Sequence, residues 1–257
     1  MIQSKIPVKA ANELRNSLGW VNPSDFTLDI VASSLGISIK ETKIKGAEGR
    51  ILMKGDTGII SINSDIDNQQ RKNFIIAHEI GHFILHQDLL ICFDTQKTLS
   101  EWHKKGPQET EANAFASELL MPSSHYIQKV KGRRLNIALI DEISSYFNVS
   151  MLATFLKYVT HGDFPLMVIY IENGIVKWKK CSTDFPFQYL QINSKVPVYT
   201  VAGDYFYQDS FESQPEKIDA IEWFPEDFEI EYKRDWKLWE QCYKVSGTGI
   251  VSCLWSF

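Results

Sequence analysis

The stretch that most constrains the fold runs from Phe74 to His86 and reads FIIAHEIGHFILH. Most of its positions are apolar and it contains no proline, so it is predicted to form a buried helix. Residues four apart lie on one face of a helix, which directs the imidazoles of His78 and His82 to one point. We therefore expect the core of the domain to be built around this helix.

The two histidines belong to an H-E-x-x-H pattern, His78-Glu79-Ile80-Gly81-His82. Two neutral imidazoles, one carboxylate and a water make up the usual catalytic zinc site. Glu79 is turned about 100° around the helix from His78, so it can reach a metal-bound water as a general base without ligating the metal. The alternative is a pair of buried histidines that donate to carbonyls, but a carboxylate in an apolar run disfavours it. Gly81 lowers helix propensity, which indicates close approach of another backbone or of substrate.

A second helix is predicted over residues 109–121, before a proline. Ala112 and Ala116 share the face of Glu109 and leave a shallow stripe that can press against the histidine helix. This favours Glu109 as the third metal ligand, while Glu111 points to another face and stays the alternative. Both glutamates also suit the first turn of a helix, where the macrodipole favours acids.

His86 lies four residues beyond His82, on roughly the same helix face. It is a candidate to donate to the substrate oxyanion or to cap the cleft. Residues 94–108 are polar and are predicted to form a loop at the rim of that cleft.

Short elements precede the histidine helix. The sequence predicts helices over 7–18 and 26–35, the second capped by Ser24 or Asp25, a strand over 37–39, and a hairpin of strands 49–53 and 59–62. Helices around a small sheet are the arrangement expected of a zincin-like fold. The edge strand of such a sheet can bind a substrate backbone by strand addition.

The chain beyond the helix predicted over residues 109–121 divides into two parts. Residues 139–147 and 151–159 read as two helices joined by a short turn with a Ser cap, which has the shape of a helix-turn-helix. Direct DNA binding is disfavoured, because the second helix offers only Lys157 as a basic residue. A packing unit that closes the peptidase domain is the favoured interpretation.

Residues beyond 165 predict a mainly β domain, with a hairpin of strands 166–172 and 175–180 and further strands at 196–201, 205–211 and 250–257. Its aromatic residues are predicted to be core: Tyr207, Trp223, Tyr232, Trp236, Trp239, Tyr243 and Trp255. The fold class is therefore α+β: a zincin-like metallopeptidase domain over 1–124, a helix-turn-helix-like segment over 125–162 and a smaller β-rich domain over 163–257. That last domain is a candidate sensor or partner-binding module.

Composition bounds the class of protein. The chain has 257 residues, 44% hydrophobic and 23% charged, which is ordinary for a globular protein. Its net charge of −5 disfavours a nonspecific polyanion binder. Four widely spaced cysteines, the absence of an apolar leader and the absence of a long apolar run predict a cytoplasmic protein with free thiols and no membrane span.

The linked motifs resemble the ImmA/IrrE metallopeptidases over about residues 8–160. The residues that carry the likeness are Arg71, Phe74, Ala77-His78-Glu79-Ile80-Gly81-His82 and His86, then Glu109, Glu111-Ala112-Asn113, Phe115-Ala116 and Leu119-Leu120-Met121-Pro122. The resemblance implies that His78 and His82 ligate zinc, that Glu79 is the catalytic acid/base and that Glu109 is the downstream glutamate ligand.

Members of that family act as anti-repressors that cut a helix-turn-helix repressor and release a stress or mobile-element programme. The resemblance thus implies a zinc-dependent endopeptidase with such a repressor as its protein partner. Better-studied relatives carry a C-terminal domain of GAF type, but no motif in 165–257 indicates that fold. The alternatives are a zinc-stabilised interaction protein without proteolysis, a DNA-binding regulator that uses residues 125–160, and a toxin–antitoxin component. Manganese or iron could replace zinc.

Overall fold

The computed structural model describes residues 5–86, 91–95, 106–210, 214–245 and 249–256, with the backbone alone for residues 5 and 91–95. The chain divides into two compact units. The first comprises residues 1–129 and 141–153, and the second comprises residues 130–140 and 154–257. The domain boundaries at 124 and 162 stay a prediction. Most of the expected rim loop, residues 96–105, lies outside the described residues.

Two helices open the first unit, α1 (Lys5–Leu18) and α2 (Leu28–Ser34). The second is shorter than predicted and its cap was wrongly assigned. Thr27, not Ser24 or Asp25, is the N-cap, and its side chain accepts a hydrogen bond from the Ile30 amide. The Asp25 carboxylate instead closes the preceding turn, because it accepts from the backbone amides of Val21 and Asn22 at 3.0 and 2.6 Å.

A four-stranded sheet follows, formed by β1 (Ile37–Thr42), β2 (Ala47–Lys54), β3 (Thr57–Asn63) and β4 (Ile91–Thr95) in the order β1-β3-β2-β4. The predicted β2–β3 hairpin is confirmed, and its turn contains Gly55 at a φ of +57°. Strand β1 pairs with β3 in parallel and β4 pairs with β2 antiparallel. The apolar face of the sheet buries Ile51, Ile60 and Ile62.

Helix α3 (Gln69–Leu85) covers that face and carries the H-E-x-x-H pattern. It begins where the Asn68 side chain accepts from the Arg71 amide at 2.8 Å, a conventional N-cap. The nine residues from Ile75 to Phe83 are all buried, as the apolar run predicts. Helix α4 (Pro107–Leu120) packs beside α3.

The core of this unit joins the sheet, α3 and α4 with the two N-terminal helices. It contains Leu14, Trp20, Val31, Ile51, Ile60, Ile62, Ile76, Ile80, Phe115 and Leu119 among other buried residues. Buried Glu118 ties the end of α4 to its surroundings, since its carboxylate accepts from the Ser123 amide, from the Ser123 hydroxyl and from Asn12. Helices α3 and α4 therefore share one hydrophobic core.

Three further helices follow: α5 (Ser123–Val130), α6 (Ile137–Phe147) and α7 (Met151–His161). The predicted helix–turn–helix of α6 and α7 is present. Asn148 sits in the turn at a φ of 52°, and the Ser150 hydroxyl accepts from the Ala153 amide at 3.1 Å. The predicted serine cap is thus also observed.

The second unit contains an antiparallel sheet in the order β6-β5-β9-β8-β7. Its elements are β5 (Leu166–Glu172), β6 (Ile175–Cys181), α8 (Val201–Tyr207), β7 (Glu216–Asp219), α9 (Ala220–Trp223), β8 (Lys237–Lys244) and β9 (Gly249–Trp255). The β5–β6 hairpin turns through Asn173 and Gly174 at φ values of 53° and 71°, as its type I′ signal predicts. The terminal strand is also confirmed, although Phe257 lies outside the described residues.

The strands predicted at 196–201 and 205–211 are wrong, because residues 196–200 belong to no strand and helix α8 occupies residues 201–207. Thr200 caps this helix, since its hydroxyl accepts from the Gly203 amide at 2.9 Å. The buried carboxylate of Glu240 on β8 accepts from the Val201 and Ala202 amides at 2.9 and 3.3 Å. These contacts override the strand propensity of the aromatic and β-branched residues around them. Phe211 lies outside the described residues.

The prediction that the aromatic residues are core is right for Trp223 and Trp255 and wrong for others. Tyr207, Tyr232 and Trp236 are exposed. The segment after α9 buries Phe224 and Ile230 instead, so its remaining aromatic rings face outward. None of the described helices combines the length and apolar character that a bilayer crossing requires.

Candidate metal centre

Helix α3 brings its two motif histidines together. The ring centroids of His78 and His82 are 4.7 Å apart and their Nε2 atoms 3.0 Å apart. Both residues are almost fully buried, at 1% and 2% exposure. The spacing of four residues along one helix is sufficient to produce this convergence.

Helix α4 adds a carboxylate to the pair. Glu109 Oε1 lies 3.1 Å from His82 Nε2, and Glu109 Oε2 lies 3.4 Å from His78 Nε2. Ligand atoms of the three side chains all lie within 4.8 Å of one another, which is the arrangement of a candidate metal site. The glutamate side chain is 25% exposed, so the group is open to solvent on the α4 side.

Close contact between α3 and α4 makes this meeting possible. A Cβ at Gly81 would lie 3.2 Å from the Ala112 Cα and 3.0 Å from Phe115 Cδ1. The expected close approach at Gly81 is therefore that of the α4 backbone. Ala112 and Ala116 are fully buried along the same contact, which agrees with the predicted stripe of small residues.

Asn113 was not assigned a role from the sequence, yet it contacts the site. Its Oδ1 lies 3.0 Å from His78 Nδ1. An amide oxygen can only accept, so this contact favours the His78 tautomer with its proton on Nδ1, which leaves the Nε2 lone pair available on the side of His82 and Glu109. By contrast, Nδ1 of His82 is buried and has no hydrogen-bond partner within the described part of the chain. The available signal was spacing: Asn113 lies four residues after Glu109 and so shares its helix face.

Glu79 is fully buried one residue along α3 from His78. Its carboxylate lies against strand β2, where a Cβ at Gly49 would come within 3.1 Å of Glu79 Oε1 and 2.4 Å of Ile75 Cγ2. Only glycine fits at this point. The β2–β4 register shifts between Ala47 and Gly49, and such bulges are common beside functional sites. No signal in the sequence links Gly49 to a helix thirty residues later.

His86 and Glu111 form a separate pair across the two helices. His86 Nε2 lies 3.7 Å from Glu111 Oε2 and 3.3 Å from the Gln108 carbonyl. The geometry thus brings Glu109, not Glu111, to the motif histidines. A substrate-binding role for His86 stays a prediction.

The donor set fits a divalent metal ion. Two imidazole nitrogens and a carboxylate are a common zinc ligand set, with the fourth position left for water or substrate. The Asn113–His78 hydrogen bond is the kind of outer contact that orients metal-binding histidines. The fit rests on three observations: the convergence of the ligand atoms, the burial of both histidines and the Asn113 contact at His78.

Comparison with known proteins finds one family model, two relatives in sequence and a solved structure of similar fold. Residues 32–155 match the IrrE N-terminal-like domain, Peptidase_M78. Metallopeptidase ImmA of Bacillus subtilis (strain 168) is 33% identical over 118 residues, which cover 42% of this chain and 60% of that protein. An uncharacterized immunity region protein 2 of Bacillus phage phi105 is 43% identical over 63 residues, which cover 24% of this chain and 37% of that protein.

One solved structure, a Mycobacterium tuberculosis transcriptional regulator, resembles the fold at a TM-score of 0.59 with 15% identity. The likeness covers 96% of this chain and 74% of that one, and it concerns the fold alone. The match over residues 32–155 includes the α3–α4 pair and its sheet. The family match and the identity to metallopeptidase ImmA support a relationship of residues 32–155 to the ImmA/IrrE metallopeptidases.

Proposed function

We propose that the protein is a zinc-dependent endopeptidase whose metal is held by His78, His82 and Glu109. The observation that carries the proposal is the convergence of the two Nε2 atoms and the carboxylate, with the buried Glu79 one residue along the same helix. The similarity of residues 32–155 to the IrrE N-terminal-like domain and the 33% identity to metallopeptidase ImmA support it. The matched part spans 60% of the Bacillus protein, so the activity of the whole chain is part of the proposal.

Zinc in this site would supply Lewis acidity, which polarises a carbonyl oxygen and makes water acidic near neutral pH. Glu79 is the proposed general base: its carboxylate takes a proton from the attacking water and gives it to the leaving amine. Burial against Gly49 fixes the position of that carboxylate. Asn113 fixes the tautomer and orientation of His78. Helices α3 and α4 and strand β2 therefore hold in place the side chains that have these roles.

The proposed substrate is a helix-turn-helix transcriptional repressor, and the proposed process is release of a stress or mobile-element programme in the cytoplasm. The phage relative is named for an immunity region, which supports a connection with repressor control. Enzymes of this kind that cut one partner are expected to act weakly on generic peptides, because docking contacts orient the scissile bond. Direct DNA binding is not part of the proposal.

The test is a paired incubation of wild type and Glu79→Gln with the helix-turn-helix repressor encoded nearest to it in its genome. Both proteins are reconstituted with zinc and assayed with and without a chelator. Glu13→Gln, the same substitution on the exposed surface of α1, is the matched control. We expect a defined repressor fragment from wild type and Glu13→Gln, and none from Glu79→Gln or after chelation.

The alternative outcomes identify the rival functions. If wild type and Glu79→Gln bind zinc and repressor equally and neither cuts, the protein is a zinc-stabilised regulatory or toxin–antitoxin partner. Fragment production by Glu79→Gln at the wild-type rate would show that Glu79 is not the base. Salt-sensitive DNA binding through residues 125–160 would favour the DNA-binding regulator.

A further inference from the structure

The second unit exposes a group of aromatic side chains, two of which, Tyr232 and Trp236, the sequence predicts to be core. Phe228 and Tyr232 are 69% and 72% exposed and their ring centroids lie 5.7 Å apart. Trp236 is 43% exposed and Tyr189 is 51% exposed. Single exposed aromatic residues are ordinary, but a cluster of them marks an interaction surface. We call these four residues, with the acids of 222–236, the aromatic–acidic surface.

The charge of this segment is concentrated. Residues 222–236 contain six Asp/Glu and two Lys/Arg, a net of −4, whereas the whole 257-residue chain has a net charge of −5. One of the two cations, Lys233, already contacts Glu229 with its Nζ 2.6 Å from Oε2. The segment that carries these aromatic rings is therefore net negative.

The surface is built on a rigid base. Asp227 is buried, and its carboxylate accepts from the backbone amides of Gln188, Tyr189 and Glu229 at 2.8, 2.7 and 2.9 Å. These bonds hold the segment that carries Tyr189 beside the segment that carries Phe228. Below them, the rings of Phe187 and Phe224 stack with centroids 4.8 Å apart. A preformed surface loses little entropy when it binds a partner.

A cleft of about 120 Å³ lies at one end of the surface. Tyr189, Glu222 and Glu226 contribute to its lining, together with Lys195 and the buried Trp223. Its volume is close to the roughly 150 Å³ that accepts a benzene ring in an engineered cavity. A guanidinium or ammonium group fits such a space, and two carboxylates against one lysine favour a cation there.

The protein already places one cation among these rings. Lys233 Nζ lies 5.1 Å from the centroid of Trp236 and 5.8 Å from that of Phe187. This is cation–π geometry, supported by the nearby carboxylate of Glu229. The same chemistry is available to an external arginine or lysine at the more exposed rings of Phe228 and Tyr232.

We propose that the aromatic–acidic surface binds an arginine- or lysine-bearing segment of a partner protein. Nucleic acids and anionic membranes would be repelled by the local charge, and an identical surface on a second copy would be repelled in the same way. A basic protein segment complements both the carboxylates and the aromatic faces. The inference goes beyond the proposed peptidase activity and does not depend on it, because every residue involved lies in the second unit.

The test measures binding of a fluorescein-labelled 12-residue peptide in which four arginines are separated by glycine and serine. Fluorescence anisotropy is recorded with the full-length protein at low and high salt. The double variant Phe228→Ser/Tyr232→Ser removes two exposed rings that can make cation–π contacts with the peptide. It is expected to weaken binding roughly 5- to 30-fold. Glu226→Gln/Glu231→Gln is expected to weaken binding and to reduce its salt dependence.

Two control variants keep the test specific. Tyr199→Ser removes a ring that is 77% exposed elsewhere in the same unit, and Glu13→Gln/Asp56→Asn removes two exposed acids from the first unit. Both should bind the peptide as wild type does, and a peptide with four glutamates should not bind. The proposal is overturned if wild type does not bind the arginine peptide, or if the controls weaken binding as much as the surface variants. It is also overturned if sedimentation shows that Phe228→Ser/Tyr232→Ser acts by dissociating a dimer.

Discussion

Replacing Gly81 by alanine tests whether the α3–α4 contact holds the three proposed ligands together. Alanine in place of glycine inside a free helix would stabilise it by about 1 kcal/mol. Here the new Cβ would lie 3.2 Å from the Ala112 Cα and 3.0 Å from Phe115 Cδ1, whereas carbon atoms in good contact are roughly 3.5–4.0 Å apart. The helices must therefore separate by a few tenths of an ångström.

Overpacking of a core typically costs about 1–3 kcal/mol, so the net change in the free energy of unfolding is a loss of roughly 0–2 kcal/mol. The larger effect is on the metal, because Glu109 moves away from His78 and His82 with its helix. Zinc affinity is expected to fall by about tenfold or more, within the range found when contacts that orient ligands are disturbed.

The assay is competition for zinc against a chromophoric chelator, combined with urea unfolding of the metal-free protein. Gly106→Ala, at the start of the same α4 helix, is the control because a Cβ there meets nothing within 4 Å. It should leave zinc affinity unchanged. The reasoning is refuted if Gly81→Ala stabilises the metal-free protein by the full helix-propensity gain and binds zinc as tightly as wild type.

Three further predictions follow from individual contacts. Asn113→Ala removes the acceptor at His78 Nδ1 and should lower zinc affinity about 10- to 100-fold, measured with the same chelator; unchanged affinity would show that the amide does not orient the ligand. Gly49→Ala places a Cβ 2.4 Å from Ile75 Cγ2 and 3.1 Å from Glu79 Oε1, so it should destabilise the protein by about 1–3 kcal/mol and reduce repressor cleavage while zinc content is retained; full activity would refute the proposed fixing of Glu79. Burial raises the pKa of Glu240 above its ordinary value of 4.5, so the native state keeps this proton to higher pH than the unfolded state. Its contribution to the free energy of unfolding should therefore decline as pH rises from 4.5 through the raised pKa, and urea unfolding of wild type and Glu240→Gln across that range should show a difference that falls with pH; a constant difference would contradict the raised pKa.

The parts of the fold that could be predicted from the sequence are those determined by apolar runs, residue spacing and turn residues within one segment. The apolar run around His78 and His82 specifies a buried helix, and spacing alone brings the imidazoles together. The Asn173-Gly174 turn likewise fixes the β5–β6 hairpin. The placement of Glu109 beside the motif histidines could also be predicted from the sequence, because Ala112 and Ala116 mark the face along which α4 can approach α3.

The parts that sequence missed depend on contacts between distant segments. Helix α8 was wrongly predicted as strand. The start of this helix is stabilised by Glu240, which lies 39 residues beyond Val201 in the chain, so no local pattern indicates it. Gly49 of β2 lies against Glu79 of α3, and the sequence around either residue does not indicate this contact. Tyr232 and Trp236 were predicted to be core, whereas both are exposed and Phe224 and Ile230 of the same segment are buried instead. Burial is decided by packing, which a hydrophobicity pattern describes only where the pattern is regular.

The most direct test of the central claim is the zinc content of wild type, Glu109→Gln and Glu111→Gln after identical zinc reconstitution and dialysis. The two substitutions are chemically the same and lie two residues apart on one helix. We predict one zinc per chain in wild type and in Glu111→Gln, and loss of zinc from Glu109→Gln. Zinc retained by Glu109→Gln but lost from Glu111→Gln, or no zinc in wild type, would contradict the proposed site.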